Sequence, residues 1–203
     1  LDDTPSGVDA GSVYVFSRNG SVWSQQSTLF SAEGEVHENF GYWVALSSDT
    51  VLIGAPLDNS SITGNVDVGS VLIFEERHTV TPISTNGGTL NPSDPIAVLA
   101  HQTASLTANP EVGHRVLSVG GCGGSWSGSN PYVTAAITAD CTVTATFAIN
   151  QYTVSFDTQG GSAVGSITQD FASTVTVPAA STRAGYSFQS WNTASNGSGT
   201  SYA

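Results

Sequence analysis

Two cysteines, Cys122 and Cys141, are the residues with the most definite chemistry in this 203-residue sequence. The sequence is rich in Ser, Thr and Gly and contains neither Lys nor Met. Because exported proteins of this kind oxidise their cysteines, we predict a disulfide between the two. Two free, buried thiols are the alternative. A metal site is a weaker one, since two cysteines supply only half of a tetrahedral ligand set.

Patterns of catalytic residues are absent from the sequence. The histidines are scattered and form no H-E-x-x-H motif, and no serine lies in a G-x-S-x-G elbow. The glycine-rich stretches "GGCGG" and "NGSGT" precede no helix-forming run that could bind phosphate, so we interpret them as turns. We predict no catalytic residue, no cofactor and no enzymatic activity, although a triad assembled from distant residues stays open. The histidines are His37, His78, His101 and His114.

Two further groups could bind ligands. The aspartates of two loops are weak candidates for calcium, which prefers oxygen ligands, or else they are solvated turn carboxylates. These aspartates are Asp2, Asp3, Asp9, Asp58 and Asp67. Trp126, beside Tyr132 in a Gly/Ser loop, is a candidate stacking platform for sugar rings, although packing on the disulfide is the favoured interpretation. Trp23, Trp43 and Trp191 lie in strand-like runs and are predicted to fill cores.

Charge excludes several classes of partner. Four Arg and sixteen acidic residues give a formal net charge of −12. Nucleic acids and anionic membranes are bound by clustered basic residues, so we predict neither partner. No apolar run approaches the roughly 20 residues that span a bilayer. Eleven of the acids precede His78, which makes the first third acidic and the remainder nearly uncharged.

Composition and spacing favour strands and an internal repeat. Val, Thr, Tyr and Phe are plentiful, and "CTVTATFAI" at 141–149 alternates apolar with polar residues, as a half-buried strand does. "LDDTPSGVDAGSVYVF" at 1–16 recurs as "LDNSSITGNVDVGSVLIF" at 57–74, a period of 56 to 58 residues. Such a period is typical of propeller blades. Arg18-Asn19-Gly20 predicts a hairpin turn.

Residues 1–76 resemble the FG-GAP repeat of integrin-type β-propellers. The similarity rests on Phe40-Gly41, Gly54-Ala55-Pro56 and the flanking "GSVYVF" and "WSQQSTLF". The resemblance implies the four strands of a blade, here Tyr42–Ser47, Thr50–Gly54, Ser70–Phe74 and Val22–Leu29. It also implies about one and a half blades, whereas a closed propeller needs at least four. We therefore expect the chain to begin in mid-blade.

One departure from this family concerns calcium. Its calcium-binding members carry an Asp-rich loop between the first two strands of the blade. Here that loop is only Ser48-Asp49, which is too short and too poor in oxygen ligands for a Ca²⁺ site of six to eight ligands. We therefore expect no high-affinity metal site.

The middle of the chain, residues 78–149, resembles the divergent repeats of bacterial secreted and surface proteins. The similarity rests on "GGCGGSWSGSNPYVTAAITADCTVTATFA". The cysteine pair belongs to that pattern, which supports the disulfide. Closing this loop would stabilise the small module by about 3 kcal/mol.

The last stretch, residues 150–203, is similar to the internalin B-repeat, also called the Listeria–Bacteroides repeat. The matching positions are "YTVSFD", Gly160-Gly161 and Gly185-Tyr186-x-Phe188-x-x-Trp191. The resemblance implies a small β-grasp unit. That repeat normally continues with one more strand, so we expect the chain to end within a domain.

These observations predict an all-β to β-rich protein: partial β-propeller blades at 1–76, then two small β modules at 77–149 and 150–203, the last β-grasp-like. The implied function is a non-enzymatic extracellular structural or adhesive segment of a long bacterial surface or secreted protein. Its partner would be an extracellular protein or glycan. The alternatives are a fibre subunit, a homopolymer whose incomplete β modules are completed by neighbours, and the ligand-binding accessory region of a secreted hydrolase.

Overall fold

A computed structural model describes residues 10–32, 37–59 and 67–202. These residues form β-strands and no helix, which confirms the predicted all-β class. No helix that could span a membrane occurs among them. The strands are β1 (Val13–Asn19), β2 (Val22–Leu29), β3 (Trp43–Ser47), β4 (Thr50–Ala55), β5 (Ser70–Glu75), β6 (Arg77–Ser84), β7 (Gly88–Asn91), β8 (Ile96–Leu99), β9 (Ser105–Pro110), β10 (His114–Gly121), β11 (Tyr132–Val133), β12 (Cys141–Ile149), β13 (Gln151–Val154), β14 (Ile167–Asp170), β15 (Trp191–Asn192) and β16 (Ser201–Tyr202).

The chain divides into two compact units. The first contains residues up to 78 together with 97–102 and 137–139, and the second contains 79–96, 103–136 and 140–203. The predicted division into modules at 1–76, 77–149 and 150–203 stays a prediction.

The first unit contains two small antiparallel sheets. Strands β1 and β2 form a hairpin around Gly20, whose φ is +61°, with a bulge between Val15 and Phe16. This is the hairpin that Arg18-Asn19-Gly20 predicts. Strands β3, β4 and β5 form a meander in chain order. The described residues between 10 and 76 thus form one strand pair and one strand triplet, and no closed propeller.

Both sheets contribute to one core. Its fully buried members are Phe40, Ile53 and Ala55. The half-buried side chains around them come from both sheets: Val13, Leu29, Val51, Leu72 and Phe74. The rings of Phe40 and Phe74 meet edge to face at 6.0 Å. A Cβ at Gly54 would collide with the indole of Trp43. The Phe-Gly and Gly-Ala-Pro motifs therefore build the core of this unit.

The prediction that Trp23 and Trp43 fill cores is wrong. Trp23 is 63% exposed and Trp43 is 44% exposed. The physical reason is that β2 and β3 are edge strands of small sheets and are exposed along almost their whole length. The core of this unit is filled from other positions. The Arg18 guanidinium lies over the Trp23 ring, 5.8 Å from its centroid.

In the second unit, residues 79–96, 103–136 and 140–149 form what we call the middle repeat. Strands β10, β12 and β6 are neighbours in that order, and β11, β9 and β7 form a second sheet. The pairing of β10 with β12 is antiparallel, whereas β12 pairs with β6 in parallel. The buried apolar residues are Val80, Leu90, Ala104, Leu106, Ala108, Val119, Tyr132, Val143 and Ala145. Burial of Val143 and Ala145 follows the predicted alternation along β12.

Residues 150–202, the last repeat, contain two separate strand pairs. Strand β13 pairs with β14, and β15 pairs with β16, both antiparallel. Ser181, at 9% exposure, is the one buried residue among the described residues of this repeat. The last repeat therefore lacks the dense apolar interior that the middle repeat has.

Candidate functional site

The disulfide lies at one end of the middle repeat. Cys122, directly after β10, is bonded to Cys141, the first residue of β12, with Cα atoms 5.5 Å apart. The Cys122 carbonyl also accepts a hydrogen bond from the Ala135 backbone N–H at 3.1 Å. The bond closes the Gly/Ser loop that contains Trp126. The predicted pairing is thus present, and it joins neighbouring strands of one repeat.

Tyr132 does not lie at the surface of that loop. Its side chain is 1% exposed, and its hydroxyl donates to the Gly121 carbonyl at 2.5 Å. A platform for sugar rings needs an open aromatic face, so this placement does not fit the predicted role. Trp126 is half-buried, and its role as a ligand contact stays a prediction.

Asn130 ties the same loop to β9. Its Nδ2 donates to the Ala108 carbonyl at 2.8 Å, and its Oδ1 accepts the Ala108 N–H at 2.9 Å. One side chain thereby makes the pair of bonds that a backbone residue of an adjacent strand would make.

The acidic calcium candidates are only partly described. Asp2, Asp3 and Asp9 lie outside the described residues. The backbone carbonyl of Asp58 accepts from Gly69 at 3.0 Å, and the backbone N–H of Asp67 donates to Asn59 Oδ1 at 2.9 Å. Among residues 10–32, 37–59 and 67–202, no three His, Cys, Asp or Glu side chains are grouped to hold a metal ion. Calcium binding by these loops stays a prediction.

Two histidines of the first unit contact carboxylates. His101 Nε2 lies 3.6 Å from Asp49 Oδ2, and His78 Nε2 lies 3.7 Å from Glu76 Oε1. Ser48-Asp49 forms the predicted tight turn between β3 and β4, with a φ of +48° at Ser48. Even with a protonated imidazole, exposed pairs of this kind contribute only about 0–1 kcal/mol each. We interpret both as minor structural contacts.

A cavity in the last repeat is the feature that sequence reasoning missed. It is an open cavity of about 860 Å³, lined by residues between Val154 and Tyr202. Its aromatic wall consists of Phe156, Phe188 and Trp191, whose ring centroids are 5.0 Å (Phe156–Trp191) and 5.3 Å (Phe188–Trp191) apart. The Trp191 indole N–H donates to the Pro178 carbonyl at 3.2 Å. Trp191 is half-buried in this wall and is not part of a closed core.

Charged groups around the cavity are engaged by the repeat itself. The Arg183 guanidinium lies 4.2 Å from the Tyr186 ring centroid, and its Nη1 donates to the Gln159 carbonyl at 2.7 Å. The Asp157 carboxylate accepts from the Gln159 backbone N–H and side-chain amide, at 3.0 and 2.6 Å. The remaining lining is mostly hydroxyl, amide and aromatic. Such a surface offers aromatic and hydrogen-bonding contacts to a bound molecule.

The Asn192 side chain holds the loop between β15 and β16 that forms part of the wall. Its Oδ1 accepts from Ala194 at 2.9 Å and Gly199 at 3.0 Å. Its Nδ2 donates to the Gly197 and Gly199 carbonyls at 3.3 and 3.1 Å. The sequence did carry a signal for this site, because Gly185-Tyr186-x-Phe188-x-x-Trp191 concentrates aromatic residues. Their spacing alone does not say whether they fill a closed core or line an open cavity.

Three family models match successive parts of the chain. Residues 23–74 match the FG-GAP repeat, residues 78–151 match the divergent InlB B-repeat domain, and residues 152–203 match the Listeria-Bacteroides repeat domain. The three predicted resemblances are confirmed. Repeat domains of these types are typical of bacterial surface proteins.

One relative comes from the bacterium Evansella cellulosilytica and carries the provisional name of a membrane protein. It is 38% identical over 60 residues, which is 30% of this chain and 9% of that protein. The match therefore spans only a small part of the relative's length. No solved structure matches the chain significantly.

Proposed function

We propose that this chain is a non-catalytic structural segment of a bacterial surface or secreted protein. Its successive repeats would space and display the neighbouring parts of that protein. The observation that carries this proposal is the near-continuous succession of three repeat types from residue 23 to residue 203. The disulfide supports it, because structural disulfides persist in oxidising, extracellular environments.

Localisation in the source bacterium tests the proposal. Antibodies against residues 79–149 should detect the protein on intact cells or in the medium, and proteinase K added to intact cells should remove the surface signal. Thiol labelling before reduction should leave Cys122 and Cys141 unmodified. Detection only after lysis, with a cytosolic marker behaving identically, would contradict the proposal.

For an adhesive role, we infer that the cavity of the last repeat takes a neutral glycan. Its wall offers aromatic faces, its lining offers hydroxyls and amides, and its Arg183 and Asp157 are engaged within the repeat.

Titration with neutral hexasaccharides, followed by the NMR signal of the Trp191 indole N–H, tests this role. We expect a saturable shift that Phe188→Ala removes. Tyr152→Ala is the matched control, because this exposed aromatic residue lies outside the cavity lining. A Trp191 signal that does not move with any of the sugars, or that moves equally in the Phe188 variant, would rule out this site.

A further inference from the structure

The first and last strands of the middle repeat lie side by side. The chain enters this repeat through β6 and leaves it through β12, and the two strands pair in parallel from Val80 opposite Cys141 to Ser84 opposite Ala145. Neighbouring strands of a parallel pair have their amino-terminal ends together. The entry point at β6 and the exit point at β12 therefore lie at opposite ends of the shared ladder.

Tension along the chain acts on this ladder in shear. It pulls β6 toward its own beginning and β12 toward its own end, so that all hydrogen bonds between them carry load at once. We propose that the middle repeat is a mechanical clamp, which resists extension of the chain through the β6–β12 ladder. This inference deepens the proposed function. Its biological role rests on that function, because a segment that spaces and displays other parts of a surface protein experiences tension.

Hydrogen bonds beyond the ladder lengthen the clamp at both ends. At its beginning, the Thr79 N–H donates to Asp140 Oδ1 at 2.7 Å. Past its end, the Thr85 N–H donates to the Ala145 carbonyl at 3.0 Å, and the Phe147 N–H donates to Thr85 Oγ1 at 3.1 Å. These bonds join the same two strands and are loaded in the same direction.

Burial protects the centre of the ladder from water. Val80, Val143 and Ala145 are fully buried along β6 and β12. Water therefore competes poorly for the backbone groups between them, and a hydrogen bond in such surroundings is stronger than one at the surface.

The other side of β12 is secured more firmly than its contact with β6. Strand β12 pairs with β10 from His114 opposite Ile149 to Gly121 opposite Val143, and the Cys122–Cys141 bond adds a covalent link at that end. When the repeat yields, β6 therefore leaves β12 first, and the separation of β10 from β12 follows in the same event.

The strand pair of the last repeat has the opposite geometry. Gln151, where the chain enters β13, lies opposite Asp170, where it leaves β14. Tension pulls such a pair apart from one end, one hydrogen bond after another. The two repeats therefore differ in how load reaches their backbone bonds as well as in their cores.

Single-molecule pulling on the full 203-residue chain in two directions tests the clamp. Site-specific, non-thiol handles at Glu76 and Gln151 load β6 and β12 in shear, and handles at Glu76 and Ala139 open the same ladder from its first pair. We expect the shear direction to rupture at a force several-fold higher at equal loading rate. Equal forces in the two directions would overturn the proposal.

The disulfide identifies which repeat has yielded. Reduction frees the 19-residue separation between Cys122 and Cys141, whose Cα atoms are 5.5 Å apart, so the extension released in the shear event should grow by about 60 Å at roughly 3.5 Å per residue. A strong event whose length does not respond to reduction belongs to another repeat and would also overturn the proposal.

A matched pair of variants assigns the force to the β6 side of β12. Thr85→Val removes the hydroxyl that accepts the Phe147 N–H and should lower the shear force. Thr146→Val removes a hydroxyl that bonds Ser118 on the β10 side and should leave it unchanged. A larger loss of shear force in Thr146→Val than in Thr85→Val would mean that the repeat does not yield between β6 and β12. Pulling results do not depend on cellular location, so failure of the clamp and failure of the proposed function are distinguishable.

Discussion

The middle repeat and the last repeat are neighbours in sequence and are stabilised by different means. The middle repeat buries nine apolar side chains between two sheets and adds a disulfide. In the last repeat, Ser181 is the one buried residue among those described, and the repeat relies on turns, aromatic contacts and side-chain hydrogen bonds such as those of Asn192. The aromatic groups that would otherwise fill its interior line a cavity instead.

A repeat with little core can still be shaped by local hydrogen bonds. Apolar burial supplies most of the stability of a small domain, at about 25 cal/mol per Å² of buried apolar area. The last repeat has less of it and leaves aromatic surface open. We therefore expect substitutions in the middle repeat to change the free energy of unfolding, and comparable substitutions in the last repeat to change binding more than stability.

The largest effect is expected at Leu106. Its side chain is fully buried in the middle repeat, so Leu106→Ala should lower the free energy of unfolding by about 2–5 kcal/mol. Leu117→Ala is the matched control, because Leu117 lies on β10 of the same repeat and is 61% exposed. Urea denaturation of both variants measures the difference. Similar losses in the two variants would mean that the repeat has no specific core.

Removing the disulfide should have the next largest effect. The Cys122→Ser/Cys141→Ser variant loses a closed loop of this length, which costs about 3 kcal/mol on the chain-entropy model. Hydrogen exchange should rise across the middle repeat and stay unchanged in residues 151–202. Faster exchange in both repeats to the same degree would show that the two unfold as one body.

A smaller effect is expected from the buried tyrosine hydroxyl. Tyr132→Phe removes one of two hydrogen bonds to the Gly121 carbonyl, which keeps the bond from the Gly124 N–H at 3.1 Å, and should destabilise the middle repeat by about 1 kcal/mol. Tyr152→Phe, on the exposed surface of the last repeat, should have no measurable effect. Thermal denaturation of the two single variants compares them directly, and an equal loss would contradict the comparison.

The smallest effect is expected at Arg183. Arg183→Gln removes the stacking on Tyr186 and the bond to the Gln159 carbonyl, and exposed cation–π contacts contribute about 0.5–1 kcal/mol. Local NMR shifts around Gly160 should change, while the midpoint of unfolding of the middle repeat should not. A shift of that midpoint would show that the last repeat contributes to the stability of the middle one.

Sequence patterns predicted the elements of this molecule better than its interfaces. The alternation in 141–149 correctly placed Val143 and Ala145 on a buried face, because a strand has a period of two residues. The same reasoning failed for Trp23 and Trp43, since periodicity separates two faces without saying which one another element covers. The parallel pairing of β6 with β12 joins segments about 60 residues apart, and no local pattern encodes such a contact. The cavity was not predicted either, because its lining combines residues between Val154 and Tyr202 that no local pattern brings together.

The two hydrogen bonds between Asn130 and Ala108 have a consequence for the chemical ageing of the protein. Asparagine most often deamidates when the backbone nitrogen of the next residue attacks its side-chain amide. The next residue here is Pro131, which has no N–H. Conversion to aspartate would replace the Nδ2 donor with an acceptor that faces the Ala108 carbonyl. The asparagine on which this loop depends is thus followed by the residue that best protects it from slow chemical damage.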